Sequence, residues 1–276
     1  MSEAPSLNTL MHAIDSNHEI LKNVDSIDFN TLSFCRQLGR KQGLAVITIH
    51  ILQQLGMSSL LDKTKLTNFM GQIYKGYRRD VEYHNDMHAA DVLQMVYVCL
   101  THGELLKFAN LSELDLLSLV ISSVCHDYGH DGMNNAYHIN SMSERAIRYS
   151  DQSVQENFHA AESFALLNMK EHNFMEDFNR DDFKTFRQRF IGIILATDMA
   201  HHASDLNKMK NLLESKGIKD GENQAAIIDT SSTKDEFNSK QTLLEFVVHA
   251  ADVSTQTRHF DLAVEWTKLL FEEFFH

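Results

Sequence analysis

After Pro5 the chain contains no further proline, and only eleven glycines are spread over its 276 residues. Proline removes a backbone donor and clashes with the preceding helical turn, while glycine costs extra ordering entropy, so both interrupt regular structure. A chain this poor in both lacks the frequent tight turns that a strand-and-hairpin fold requires. Its abundance of Leu, Met, Phe, Glu and Lys points the same way, to an all-α fold. Apolar residues recur with helical period over roughly residues 44–55, 66–77, 87–108, 111–126, 154–171, 181–200, 203–216, 240–251 and 258–275. Residues 1–27 read as a polar lead-in with weak helical signals at Leu10, Ile14 and Ile20. Residues 28–276 read as one compact multi-helix domain, because no repeat, proline-rich tract or Gly/Ser linker divides them. The polar stretch Ile218–Asn238, with Gly221 inside it, reads as an exposed, mobile connection.

Charge removes several functions. The chain has 25 basic and 38 acidic side chains, a net charge of −13, which repels a nucleic-acid polymer. A small anion can still bind where divalent cations invert the local field. No apolar run approaches the ~20 residues of a membrane span. Met1–Asn8 is polar and lacks the layout of a secretory signal. Three cysteines, Cys35, Cys99 and Cys125, are an odd and small number, expected as reduced thiols of a cytoplasmic protein. Cys125 reads as a small buried hydrophobe.

The chain's sixteen histidines cluster. Four segments far apart in sequence each place His or a carboxylate at helical spacing. They are Tyr83-His84-Asn85-Asp86-Met87-His88, Cys125-His126-Asp127-Tyr128-Gly129-His130, Glu156-Asn157-Phe158-His159 and His249-Ala250-Ala251-Asp252. Residues four apart share a helix face, so His84 and His88 can address one cavity, and His126 and His130 repeat the spacing. Gly129 and Gly132 are expected to end the helix before them, leaving these groups at its mouth. An isolated HxxxH is commonly structural, His126-Asp127 alone can be a helix-end pair, and Asp252 alone can be a satisfied buried acid. The ordered set H…HD…D is instead the ligand pattern of HD-type metal phosphohydrolases. His and Asp without Cys suit Zn²⁺, Mn²⁺, Fe²⁺ or Mg²⁺. Paired divalent ions generate hydroxide at neutral pH and neutralise charge on phosphate oxygens.

At these residues the chain resembles the catalytic domains of class I 3′,5′-cyclic nucleotide phosphodiesterases. His126-Asp127-Tyr128-Gly129-His130-Asp131-Gly132-Met133-Asn134-Asn135-Ala136-Tyr137 fits their signature, and Tyr83-His84-Asn85-Asp86-Met87-His88-Ala89-Ala90-Asp91-Val92 fits a second pattern. Ser153–Asn157, Ala196–Met199, His249–Ser254, Trp266 and Glu273-Phe274-Phe275 follow in the family's order. The HDYxHxG wording, with Asn135 and Ile139, is nearest the calmodulin-stimulated branch. The resemblance implies that His88, His126, Asp127 and Asp252 hold a first metal, usually zinc, and that Asp127 bridges to a second, usually magnesium or manganese. His84 is implied as the general acid that protonates the departing 3′ oxygen, yielding a nucleoside 5′-monophosphate. His130, Glu156 and His159 are implied behind the ligands, orienting water. His84, Asp127, Asp252 and Thr255 are implied against the cyclic nucleotide.

His202 also matches, in a supporting role. Asp198 reads as the acceptor of a fold-stabilising hydrogen bond. Trp266, Phe271, Phe274 and Phe275 follow helical spacing and read as core, whereas the acid pairs Asp181-Asp182 and Glu272-Glu273 read as solvated helix faces. Two departures stand out. Ser254-Thr255-Gln256 replaces the family's Ser-Asn-Pro, which removes an Asn expected to contact the base. The sequence also stops after Glu273-Phe274-Phe275, where family domains continue with helices carrying a purine-binding glutamine and a stacking phenylalanine. The expectation is a fold lacking its last helices, with a nucleotide pocket open on one side and an apolar last helix that favours association. Cyclic AMP against cyclic GMP and the oligomeric state are not legible. Two other readings stay open: a phosphohydrolase acting on another nucleotide, and an inactive metal-binding homologue.

Overall fold

Polar side chains at the right positions start most of the helices. Ser6, Asn30, Asp62, Asn85, Ser112 and Ser232 each accept a hydrogen bond from a first-turn backbone N–H that has no partner within its helix. Ser112 and Asp115 do so reciprocally, as a capping box. The computed structural model describes residues 5–218 and 227–275, and among them there is no strand. In chain order the helices are α1 (Leu7–Ser16), α2 (His18–Leu21), α3 (Thr31–Leu38), α4 (Arg40–Gln54), α5 (Lys63–Gly76), α6 (Asp86–Thr101), α7 (Leu105–Phe108) and α8 (Glu113–Cys125). Then come α9 (Asn135–Asn140), α10 (Glu144–Tyr149), α11 (Val154–Leu167), α12 (Arg180–Leu195), α13 (His202–Ser215), α14 (Thr233–Asp252) and α15 (Phe260–Phe274). Single 3₁₀ turns cover Met57–Ser59, Met199–His201 and Val253–Thr257.

The all-α expectation holds, and its exceptions have local causes. The stretch expected as one helix over 87–108 breaks after Thr101, because Glu104 adopts a left-handed φ of 59°. Helices α9 and α10 are six residues each, too short to show a period, although Asn134 and Ser143 cap them. The expected lead-in carries α1 and α2, whose Leu10, Ile14 and Leu21 are buried in the same core as the rest. The expected connection at 218–238 lies partly outside the described residues. Where it is described, Ile227 and Ile228 are buried and α14 already begins at Thr233, capped by Ser232.

Helices α6 and α8 are buried on nearly every face, which is why their sequences are apolar almost throughout. They pack on each other, α4 flanks both, and α12 and α14 close the opposite side. Two buried ion pairs tie this centre together. The Arg189 guanidinium of α12 lies 2.6 Å from the Asp115 carboxylate of α8. Arg258, beyond α14, lies 3.1 Å from Asp91 of α6 and donates to the Ile27 carbonyl at 3.1 Å. The second pair locks the N-terminal end of α6 to the chain just after α14, the two places where site residues emerge. Trp266 of α15 is fully buried as expected, but Phe271, Phe274 and Phe275 are 53%, 61% and 80% exposed, so the last turns of α15 are apolar surface rather than core.

Candidate metal centre

The central helices end at one place. Helix α8 stops at Cys125 with His126 as its C-cap, and the chain turns through Gly129 and Gly132, both at left-handed φ (74° and 83°). Helix α6 begins only at Asp86, because Asn85 caps it by accepting from the Met87 N–H. His84 therefore precedes α6 and His130 follows α8, so neither four-residue spacing lies within a helix. The His84 and His88 rings still come within 5.8 Å of each other, but only His84 lines the neighbouring cavity, while His88 is fully buried behind it. Asp252 is the last residue of α14, while Glu156 and His159 lie within α11.

His88, His126, Asp127 and Asp252 converge, with one potential ligand atom from each lying within 4.8 Å of all the others. His88 Nε2 is 2.8 Å from Asp252 Oδ1 and 3.5 Å from Asp127 Oδ2. His126 Nε2 is 3.1 Å from Asp127 Oδ2, 3.3 Å from Asp252 Oδ1 and 3.4 Å from His88 Nε2. The donor set fits a divalent ion on two grounds. His126 Nδ1 donates to the Ser123 carbonyl at 2.8 Å, which leaves Nε2 as a lone pair aimed at two carboxylates. Ligands about 2.0–2.2 Å from an ion lie about 2.8–3.6 Å apart at angles between 90° and tetrahedral, the spacing found here. The electrostatics agree. Burial disfavours a charged His126, yet Asp127 and Asp252 overcome it and raise its pKa well above the ordinary histidine value. Burial works against both carboxylates too, but the facing imidazoles hold Asp127 and Asp252 below the usual carboxylate range. The site thus attracts positive charge, which a cation supplies better than a proton.

Beside this cluster is a cavity of about 440 Å³, lined by His84, Asp127, His130, Glu156, His159, Asp252 and Glu273 among others, with Met133, Met199 and Phe274 also on its wall. His84 Nδ1 lies 2.5 Å from Glu273 Oε1, and Glu273 Oε2 accepts the backbone N–H groups of Tyr83 at 2.7 Å and His84 at 3.0 Å. Glu273 is therefore no solvated helix face, as its acidic neighbour suggested. It reaches from α15 to a histidine far away in sequence. Burial lowers the His84 pKa, but the Glu273 hydrogen bond and the charge of Asp127 more than reverse that, leaving it raised. The ring stacks on His130 with centroids 4.3 Å apart. His130 accepts the Gly132 N–H on Nδ1, and burial, then the neighbouring His84, push its pKa well down. His159 donates from Nδ1 to the Tyr128 carbonyl at 2.7 Å, and burial pushes it down to about 4. Glu156 is pushed up to about 7, mainly by burial, although Asn135 donates to it at 2.9 Å.

Thr255 does not line the cavity. It is buried, with its hydroxyl 3.1 Å from that of Tyr83, whose ring packs on His88 and Trp266. Asp198 accepts from Ser153 Oγ at 2.8 Å and from the Ala200 N–H, the structural bond expected of it, while also facing the cavity. His202 lies outside it, 2.7 Å from His249, whose Nδ1 donates to the Ala196 carbonyl. Cys125 is fully buried, and burial raises its thiol pKa. No helix among the described residues is long and apolar enough to cross a membrane.

Residues 83–276 match the family described as 3′5′-cyclic nucleotide phosphodiesterase. The chain is 31% identical over 93% of its length to the dual specificity calcium/calmodulin-dependent 3′,5′-cyclic nucleotide phosphodiesterase 1 of Drosophila melanogaster, of which it covers 28%. It is 33% identical over 94% of its length to the corresponding phosphodiesterase 1B of Mus musculus, of which it covers 45%. The chain thus spans less than half the length of either relative. The phosphodiesterase domain of the RhoPDE fusion protein from Salpingoeca rosetta superposes with a TM-score of 0.78 at 30% identity, covering 91% of this chain and 73% of that one.

Proposed function

The chain belongs to the 3′,5′-cyclic nucleotide phosphodiesterase family, and on that premise we propose that it hydrolyses the 3′ phosphoester bond of cyclic AMP, cyclic GMP or both to the nucleoside 5′-monophosphate. The observation that carries this reading is the convergence of His88, His126, Asp127 and Asp252 beside a cavity into which His84 faces. Those four residues would hold one divalent ion, taken to be zinc, with Asp127 shared with a second, taken to be magnesium or manganese. Such ions acidify water and neutralise the charge that builds on phosphate oxygens.

The chain's own groups supply the rest. Glu273 accepts a hydrogen bond from the Nδ1–H of His84 and anchors its backbone, so the ring can carry a second proton on Nε2 for the departing 3′ oxygen. The raised pKa keeps that proton available near neutral pH. His130 and His159, both shifted down, are neutral there and orient neighbouring groups without adding charge. His84, Asp127 and Asp252 line the cavity and are the proposed substrate contacts, and Thr255 is assigned to holding Tyr83. The catalytic unit is taken as 28–276, with α1 and α2 packed onto it, and its place as cytoplasmic.

The test is hydrolysis of cyclic AMP and cyclic GMP by protein loaded with Zn²⁺ and Mg²⁺, with the 5′-monophosphate as product. Failure on both substrates by metal-replete protein would overturn the proposal. Release of phosphate from 5′-nucleotides alone would favour a different phosphohydrolase.

A further inference from the structure

At the cavity wall formed by Asn135, Gln155 and Glu156 begins a polar relay whose hub none of the roles above uses. Its hub is Arg145 of α10, which does not line the cavity. The guanidinium lies over the Phe158 ring of α11, 3.6 Å from its centroid. From there it donates to the Gly129 carbonyl at 3.1 Å and to Gln155 Oε1 at 2.5 Å, and it lies 3.4 Å from Asp131 Oδ2. Gln155 is almost fully buried and has no freedom to turn. Its Nε2 donates to Asp131 Oδ1 at 2.9 Å and to the Met133 carbonyl at 2.8 Å, and its backbone N–H donates to Asn135 Oδ1 at 2.8 Å. Asn135 in turn donates to Glu156.

We infer that Arg145 is a positioning residue for the reaction, holding the loop of Asp127 and His130 through Gly129 and Asp131, and holding Glu156 through Gln155 and Asn135. The loop needs such a hold. Between the end of α8 and the start of α9 it has no regular backbone ladder, and the left-handed Gly129 and Gly132 give it conformational freedom. Gly129 is also packed so closely that a Cβ there would lie 2.9 Å from Phe158, the ring Arg145 covers. Arg145 and Gln155 together fix positions 129, 131 and 133 of the loop and 135 at the start of α9, alternate residues along the chain. A planar guanidinium can stack on a ring and donate in two directions at once, which a lysine ammonium cannot.

The inference rests on the phosphodiesterase reading for its kinetic arm only. Arg145→Met keeps an unbranched apolar side chain beside Phe158 and removes every donor. It is expected to lower kcat about tenfold to a hundredfold, as a displacement of about 1 Å at a reacting group does, while KM stays within about threefold. Arg145→Lys should recover part of kcat. Leu10→Ala, a core change far from the site, serves as the stability control and should leave kcat unaltered below its melting temperature. Hydrogen exchange followed by mass spectrometry gives the second arm, in which Arg145→Met should speed exchange of peptides covering 127–135 and leave those of α8 unchanged. An unchanged kcat, a rise in KM at constant kcat, or unchanged loop exchange would each overturn the inference. If Arg145→Met does not fold, Arg145→Lys carries both measurements. Should wild-type protein hydrolyse neither cyclic nucleotide, the functional proposal fails and the exchange arm alone decides this one.

Discussion

Glu273→Gln separates a charged partner of His84 from a merely shape-filling one. The carboxylate accepts three hydrogen bonds, from the His84 ring and from two backbone N–H groups. A glutamine has one oxygen. If that oxygen keeps the backbone pair, its amide N–H₂ faces Nδ1 and cannot stabilise an imidazolium. A hydrogen bond to a charged group contributes about 1.5–3 kcal/mol, which corresponds to about 1–2 pKa units at His84. His84 is raised in the native protein, so its donor form is fully present at low pH and is lost as pH rises through that raised value. In the variant the loss should begin about 1–2 units lower. The assay is kcat against pH for the metal-loaded enzyme. At acid pH the two proteins should converge. Above the native basic limb, where both fall in parallel, the variant should be slower by about 10–100-fold. Metal content should be unchanged, because Glu273 hydrogen-bonds to none of His88, His126, Asp127 and Asp252 and the variant's oxygen keeps the backbone N–H groups of Tyr83 and His84. A basic limb at the native position, or an equal loss at every pH, would refute the assignment of Glu273 as the partner that sets the proton affinity of His84.

Other outcomes follow from neighbouring contacts. Asp127→Ala should lose bound metal by elemental analysis together with turnover. His84→Ala should retain metal and lose about 10²–10⁴-fold in kcat. In chelator-treated protein Glu156 carries a pKa of about 7, above its unfolded value, so its contribution is complete at low pH and is lost as pH rises through 7. Glu156→Gln should therefore be more stable than the parent at pH 8, by about 3 kcal/mol at most, and nearly equal to it at pH 4, as read by denaturant titration. Arg258→Met strands Asp91 without a countercharge between fully buried neighbours and should cost about 3–5 kcal/mol, measured as a fall in the denaturation midpoint.

Helices were legible where a long run had one reason to be apolar. The stretch Leu116–Cys125 is apolar because α8 is surrounded, and 111–126 was expected as helix on that pattern alone. Boundaries failed where one residue's backbone decided them. A left-handed Glu104 splits the helix expected over 87–108, and Ser232 starts α14 inside a stretch whose polarity suggested a loop. Six-residue α9 and α10 repeat nothing, so periodicity had nothing to detect. The aromatic residues of α15 misled in a different way. Trp266 and Phe271 share a spacing, but only Trp266 meets the rings of Tyr83 and His88.

The residues of the site divide by how their chemistry is written. His88, His126, Asp127 and Asp252 need only be the right residue types in the right order, since helix ends bring them together and any ion selects them by donor class. Order and type are sequence properties, the family resemblance singled out these four through them, and the structure brings the four together. Glu273 and Arg145 act by reaching a specific partner, and nothing at either position records which partner that is. Glu273 belonged to a matching segment, Glu273-Phe274-Phe275, yet its acidic neighbour Glu272 made the pair look like a wetted face. One full turn of α15 separates Leu270 from Phe274, and Glu273 falls on the side of that helix that meets Tyr83 and His84. The i,i+4 spacings were the weaker part of the sequence argument for the same reason. The His84 and His88 rings lie near each other, but they do so across the Asn85 cap, not along a helix face, and only His84 reaches the cavity. A ligand pattern thus survives a wrong local geometry, whereas a positioning contact depends on that geometry and is recoverable only from the folded chain.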